Sequence, residues 1–384
     1  MWVKLTDLKY YMHFAIEQAR KAAKCNEVPI GAILVNPEGI IKQSSHNLVL
    51  RKSDPTAHAE LNVVRAECES INNERLLNYR LFVTLEPCAH KNNKGLSCAE
   101  QIHKSGIKEV FVCCVDPDPR TNYKGIKLLK KKEIKVHENF MNNKASKLYD
   151  GFFSRILKKR PFITLKIACS LDGKIALKNN KSKWITNELS RSYVHFLRSQ
   201  NDAIMTSSAT ILKDNPRMDC RLNGLEKRSP TKIILDRYLK IPSNYNIYKT
   251  LSNNDIFLYS LCEMKNHLTE NNFLKKIRVD KKLNDENFFN FIFNDLAKRG
   301  INNLLIETGS IINTLLLSLK LVDQILIFRS GNIIGNDGLP FVNNLNIKKI
   351  NNLSNYKISC LKTFDDDILE TRNLISKDIK CSQV

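Results

Sequence analysis

The sequence runs to 384 residues, 42% of them hydrophobic, with 61 Lys+Arg against 39 Asp+Glu and a formal charge of +22. That length favours two domains over a single core, and no apolar run approaches the ~18–20 residues of a membrane span, so a membrane partner is excluded. The basic residues are spread through a Lys-, Asn- and Ile-rich chain without a dense cluster interleaved with aromatics, which makes nucleic acid the weaker partner reading and leaves phosphate-bearing small molecules to profit from the field.

In chain order, Leu8, Tyr11, Met12, Ala15 and Ala19 recur at helical spacing and predict a first amphipathic helix. A β-rich run, Ile30–Val35, and a return strand after the Pro37-Glu38-Gly39 turn come next. A helix is expected from Ala57, a buried strand at Arg80–Leu85, a helix from Cys98 and a strand at Glu109–Val115. A helix at Lys124–Lys132 and a strand at Ile134–His137 follow, and a basic helical stretch, Asn143–Lys159, ends at Pro161. Beyond it, strands are expected at Phe162–Ala168, Ala203–Met205, Lys232–Asp236, Asn303–Ile306 and Gln324–Phe328. They alternate with helices over Asn187–Arg198, Phe288–Lys298 and Ile311–Leu319, with a polar, irregular stretch at Ser252–Asn287. Such alternation argues for α/β layered sheets. It divides the chain into a domain over 1–146, a helical linker over 147–160 and a second domain over 161–384.

Eleven cysteines, an odd number without repeating spacing, suit a reducing compartment better than a disulfide scaffold. The N-terminus shows no secretory pattern, so the expected location is the cytoplasm; homo-oligomerisation is left open.

Three pieces converge on a metal site: His58 and Glu60 in Thr56-Ala57-His58-Ala59-Glu60, Cys88 at the end of a strand in Thr84-Leu85-Glu86-Pro87-Cys88, and Cys98 opening a helix. One imidazole and two thiolates suit tetrahedral Zn²⁺ and leave a position for water, which the metal acidifies. Glu60, two residues from His58, is then the proton carrier rather than a ligand. A zinc-stabilised protein without catalysis is a further reading, and Glu60 speaks against it, since a structural site needs no proton carrier.

The Glu86-Pro87-Cys88-Ala89-His90 start with a distant Cys98, and Val115-Asp116-Pro117-Asp118-Pro119, resemble the first domain of the bifunctional riboflavin-biosynthesis deaminase/reductases. Downstream, Phe162–Ala176, Ser182-Lys183-Trp184-Ile185-Thr186, Thr210–Pro216 and Cys220-Arg221-Leu222 resemble that family's reductase segments. By contrast, Glu27–Gly31 and Asp54–Glu60 look more like bacterial tRNA adenosine deaminases, which supplies the alternative of a nucleic-acid deaminase and points to Asn47 or His90 as pocket residues. The family resemblance implies a cytidine-deaminase-like three-layer domain followed by a dihydrofolate-reductase-like α/β domain. It also implies Zn²⁺ and NADPH as cofactors and a small phosphorylated pyrimidine as substrate.

Read without the family, Lys166, Ser170 and Asp172 lie at or beyond one strand end, Arg198, Arg217 and Arg221 suit bidentate phosphate binding, and Glu307-Thr308-Gly309-Ser310 runs from a strand into a helix whose N-terminus suits a phosphate. No G-x-G-x-x-G occurs, so a Rossmann fingerprint is unsupported. The resemblance implies NADPH contacts at Ala168, Trp184, Thr210, Asp214 and Gly309, Ser310, Ile311, Ile312, Asn313 and Thr314. It implies ribose-phosphate contacts at Ser182, Arg198, Met218, Arg221 and Glu307. Arg237 replaces a small hydroxyl residue near the cofactor, and Ser330-Gly331-Asn332 replaces a usual Ala-Pro-Lys.

Overall fold

The computed structural model describes residues 5–25, 27–90, 95–179, 181–249, 255–262, 273–348 and 354–375. Part of the loop before Cys98 and part of the polar stretch Ser252–Asn287 therefore lie outside the described residues. No helix among them is long and apolar enough to cross a membrane. The chain divides into two units, Met1–Leu157 and Lys158–Val384.

The first unit contains α1 (Leu5–Lys24), β1 (Gly31–Val35), β2 (Ile41–His46), α2 (Val49–Lys52), α3 (Ala59–Ser70) and β3 (Arg80–Leu85). It continues with α4 (Cys98–Lys104), β4 (Glu109–Cys114), α5 (Lys124–Lys131), β5 (Lys135–His137) and α6 (Asn142–Leu157). The sheet order is β2-β1-β3-β4-β5, with β1 antiparallel to both neighbours and β3, β4 and β5 parallel. Side chains alternate along each strand. Ala32, Leu34, Val83 and Val112 pack with Val63 of α3, Ile102 of α4 and Ile126 of α5. Ile33, Val35, Phe82 and Phe111 pack with Met12, Ala15 and Ile16 of α1 and Tyr149 of α6. The result is helix, sheet, helix. At Gly31 a Cβ would stand 2.1 Å from Ala15 O, so the close approach of α1 to β1 requires glycine there.

The stretch expected as a linker behaves differently. Ala145 and Tyr149 of α6 are buried against the first sheet, and Tyr149 Oη lies 2.7 Å from Thr84 Oγ1 and 2.9 Å from Pro29 O. The helix is a layer of the first unit, and the division falls after Leu157.

The second unit contains β6 (Phe162–Cys169), β7 (Lys174–Leu177), α7 (Glu188–Ser199), β8 (Ala203–Ser207), α8 (Ser208–Asp214), β9 (Thr231–Leu235), α9 (Asn246–Lys249), β10 (Ile256–Ser260) and β11 (Leu274–Arg278). After these come α10 (Asp285–Lys298), β12 (Asn303–Ile306), α11 (Ser310–Ser318), β13 (Gln324–Arg329), β14 (Gly338–Pro340), β15 (Tyr356–Phe364) and β16 (Asp367–Leu374). The main sheet runs β11-β10-β9-β8-β12-β6-β13-β16-β15, and β7 pairs with β14. Every pairing from β11 to β13 is parallel, whereas β13-β16-β15 is antiparallel. Phe288, Phe289, Ile292 and Phe293 of α10 and Leu316 of α11 cover one face; Ile211 of α8, Ile247 of α9 and Val194 of α7 belong to clusters on the other. The chain moves outward from β6 through β8 to β11 and returns with β12 between β8 and β6. A reversal of this kind opens a crevice at the carboxyl ends of the parallel strands, where open α/β sheets bind ligands.

Candidate active sites

In the first unit, His58 is the N-cap of α3, with φ −70° and ψ 151°, and Glu60 sits in that helix's first turn. Asn62 fixes the approach by donating its amide to His46 O and Ala57 O at 3.1 Å each. Cys98 opens α4 behind a capping box: Ser97 Oγ accepts from Glu100 N, and the Glu100 carboxylate accepts from Ser97 N. Cys88, just beyond β3, accepts from Cys98 N at 3.5 Å, and Ala99 N donates to Cys88 O at 3.1 Å. His58 Nδ1 stands 3.2 Å from Cys98 Sγ and 3.8 Å from Cys88 Sγ. All three donor atoms lie within 4.8 Å of one another.

The donor set fits zinc. A hydrogen bond from Cys98, then one from His58, hold the Cys88 thiol down to about 4 against its burial, while Cys98 is pushed well above the usual thiol range. A divalent cation is what allows two adjacent thiolates and a neutral imidazole to coexist. Glu60 is buried and its Oε2 has no hydrogen-bond partner among the described residues. Desolvation pushes its carboxyl up to about 7, the range in which a carboxylate both takes and returns a proton.

Glu86 organises the surroundings. Its buried carboxylate accepts from Asp116 N, Tyr123 N, Gly125 N and Ile126 N, tying the Val115–Pro119 segment and α5 to the strand end that carries Cys88. At Gly125 a Cβ would stand 1.8 Å from Pro87 O. Gly125→Ala is therefore expected to displace the residue before Cys88, at an overpacking cost of roughly 1–3 kcal/mol. Competition with a chelator should show weaker zinc retention and melting should show a lower Tm; unchanged zinc retention would contradict the coupling.

Of the two pocket candidates near His58, Asn47 is buried with its amide donating to Glu27 Oε2 at 3.2 Å, and Glu27 Oε1 accepts from Arg51 N. Glu27 thus serves as a brace for that loop. His90 is exposed at the edge of the described residues.

In the second unit a cavity of ≈ 1270 Å³ opens at the carboxyl ends of the parallel strands. Its wall includes Ala168, Ser182, Trp184, Arg198, Thr210, Asp214, Met218, Arg221, Glu307 and Gly309 through Asn313. Thr314 is not on that wall: its hydroxyl donates to Ser310 O and accepts from Asn343 N. Gly309 caps α11 with no side chain and no atom within 4 Å of a would-be Cβ, and the first turn of the helix lies on the cavity wall.

Glu307 holds the electrostatic centre. Arg198 donates to it through Nε at 2.9 Å and Nη2 at 3.0 Å, Lys166 Nζ lies 3.7 Å away, and these cations hold its carboxyl at about 2 against the desolvation of a largely covered side chain. Arg198 Nη1 donates to Asp219 O, so its fork is committed within the protein. Arg217 and Arg221, both about half exposed, pair with Asp219. Arg237 pairs with Asp285 at 2.5 Å and lies over the Phe288 ring. Asp172, off the wall, accepts from Ser170 Oγ, Ile334 N and Gly335 N and so shapes a turn. Sequence reasoning missed His195, Asp219 and Arg191, whose guanidinium lies 4.4 Å from the Trp184 ring centre. The one available signal was that His195 and Arg198, three apart on a helix, share a face.

Residues 161–369 match the RibD C-terminal domain, and residues 5–114 match the cytidine and deoxycytidylate deaminase zinc-binding region. A curated Riboflavin biosynthesis protein RibD from Aquifex aeolicus is 31% identical over 365 residues, covering 94% of this chain and 97% of the relative. Another of that name, from Buchnera aphidicola, is 29% identical over 374 residues, with 94% and 96% covered. The crystal structure of a diaminohydroxyphosphoribosylaminopyrimidine deaminase/5-amino-6-(5-phosphoribosylamino)uracil reductase from Thermotoga maritima superposes with a TM-score of 0.81. It is 28% identical, and the match covers 96% of this chain and 99% of that one.

Proposed function

This chain belongs to the RibD family of riboflavin-biosynthesis proteins, and from that premise we propose how its two units divide a deaminase/reductase pair of reactions. Met1–Leu157 deaminates diaminohydroxyphosphoribosylaminopyrimidine; Lys158–Val384 reduces the ribosyl group of 5-amino-6-(5-phosphoribosylamino)uracil with NADPH. The observation that carries the reading is that a His/Cys/Cys donor cluster beside a buried Glu60 with an unpartnered Oε2 and a large strand-end cavity fall in the units that match a deaminase zinc region and the RibD C-terminal domain, respectively.

His58, Cys88 and Cys98 hold the zinc, which when bound supplies a Lewis acid that makes water nucleophilic near neutrality. Glu60 takes the proton of the attacking water on its carboxylate and returns it to the departing amine. In the second unit NADPH supplies the hydride. Trp184, Ala168, Thr210, Asp214 and the backbone after Gly309 are assigned to the cofactor, and Ser182, Met218, Arg221 and Glu307 to the ribose phosphate. Glu307, kept ionised, accepts hydrogen bonds from sugar hydroxyls. Arg198 acts through Glu307 as a positioning residue, and Arg221 meets the phosphate. The free thiols of the described cysteines agree with a cytoplasmic location. The tRNA adenosine deaminase reading is not carried forward, because that reaction has no use for the half matching RibD over residues 161–369.

The direct test supplies the zinc-loaded protein with the diaminopyrimidine substrate and NADPH. Ammonia release followed by NADPH oxidation is expected, with no oxidation when the deamination step is blocked. A folded, zinc-loaded sample that does neither overturns the assignment.

A further inference from the structure

One imidazole on the cavity wall is held between a backbone carbonyl and an arginine. His195 Nδ1 lies 3.1 Å from Asp219 O, and its Nε2 lies 3.1 Å from Arg221 Nη2. A carbonyl oxygen only accepts and a guanidinium nitrogen only donates. Both contacts are satisfied together by a single form: the neutral ring with its proton on Nδ1, donating to Asp219 O, and a lone pair on Nε2 accepting from Arg221. The other neutral tautomer gains the longer 3.3 Å bond from Arg221 N to Nδ1, which the first form gives up, but it loses Asp219 O and sets N–H against N–H at Nε2. The imidazolium does the same at Nε2 and adds like charge.

The surrounding charges act in the same direction. Arg198 faces the ring from its own helix, Asp219 and Arg221 from the segment after α8, where Arg217 pairs with Asp219, and Glu307 from the end of β12, and Lys166 approaches Glu307 from β6. Burial, then Arg198 and Arg221, lower the His195 pKa from 6.5, against the Asp219 carbonyl and Glu307. The Arg221 side chain is 51% exposed, and its ion pair with Asp219 spans 3.5 Å, so the contact to His195 is the shorter restraint on its fork.

We propose that neutral His195 is a positioning residue that aims the Arg221 guanidinium into the cavity as the phosphate-gripping group of the reductase, and that protonation of His195 uncouples it. The proposal rests on the assignment of Arg221 to the substrate phosphate made above.

The test measures KM and kcat of the full-length holoenzyme for 5-amino-6-(5-phosphoribosylamino)uracil between about pH 5 and 8, the range in which histidines titrate. Wild-type KM is expected to rise as pH falls through the depressed His195 titration, with kcat little changed. His195→Gln offers Arg221 a carbonyl acceptor that does not titrate, so it should hold KM near the wild-type value at neutral pH and lack the acid rise. The phosphate's own ionisation is common to both proteins and cancels in their ratio. His195→Leu should raise KM roughly tenfold or more at neutral pH, the loss expected for one hydrogen bond to a charged group. An identical acid rise in wild type and His195→Gln overturns the proposal. If Arg221→Ala leaves KM unchanged, the phosphate assignment itself fails, which separates the two claims. The ¹⁵N shifts of the imidazole report the tautomer without any variant: an Nδ1–H ring at neutral pH is expected, and an Nε2–H ring overturns the proposal.

Discussion

Glu60→Gln is expected to leave zinc bound while lowering ammonia release by about 10²–10⁴-fold, the usual contribution of a positioned proton carrier. The substitution preserves shape at a fully buried position and removes only the capacity to take a proton. His58, Cys88 and Cys98 supply the donor set without Glu60, so metal analysis should give the wild-type content. A carboxylate with an unpartnered oxygen is costly to bury, and Glu60 has one in Oε2; a neutral amide there should melt at the same temperature or higher. This separates catalysis from folding, because a structural glutamate would give the opposite sign in Tm. The reductase half provides an internal control: NADPH oxidation with the deaminated pyrimidine supplied directly should match wild type. Deamination within about tenfold of wild type would remove Glu60 from the mechanism, and loss of zinc would make its role structural.

The deaminase site was legible because its chemistry is local. His58 and Glu60 are adjacent on one helix start, and Cys98 sits behind a capping serine and glutamate that announce the helix. The buried strands were legible for the same reason: β1, β3 and β8 are buried at every position and mostly apolar. Elements without a buried face left little signal. Seven of the nine residues of β15 are exposed, so the first strand of the β15–β16 hairpin, which turns at Asp365 with φ 50°, carries no alternation of burial to read. β11 is a lysine-bearing edge strand whose pattern is that of a solvated segment. α6, expected to serve over 147–160 as a linker, instead docks through Tyr149 on Thr84, 65 residues away, a contact its own spacing does not announce.

The reductase cavity shows the same limit more sharply. The residues assigned by resemblance, Thr314 excepted, line it, but their division of labour depends on long-range pairs. Arg198, expected to help grip a phosphate, spends its fork on Glu307, 109 residues away in sequence. Spacing along α7 placed Arg198 on the right face but gave no account of a partner arriving on β12.

That pair sets the second large expectation: Arg198→Ala should destabilise the second unit by about 3–5 kcal/mol, because it leaves a largely covered carboxylate with only the longer Lys166 ion pair. Side-chain exposures of 12% for Arg198 and 13% for Glu307, with Lys166 Nζ 3.7 Å from the carboxylate, place the pair in the regime where breaking is expensive. For a unit of this size the Tm should fall by on the order of 10 °C. The pH dependence has a definite sign. Glu307 titrates at about 2 in the folded protein against an ordinary 4.5. Its contribution is therefore complete above the unfolded value and is lost as pH falls toward the folded one. The difference in Tm between wild type and Arg198→Ala should be constant from neutrality down to about pH 5 and should shrink below about 4.5. Melting curves of the two proteins over that range decide it. A gap that is small at neutral pH, or that widens in acid, would mean that Arg198 does not hold Glu307 ionised. Arg198→Lys should recover part of the charge but not the two parallel bonds, so its reductase KM should stay raised even where its Tm recovers. Stability and substrate binding would then be shown to draw on different features of one side chain: the first on its charge, the second on its fork.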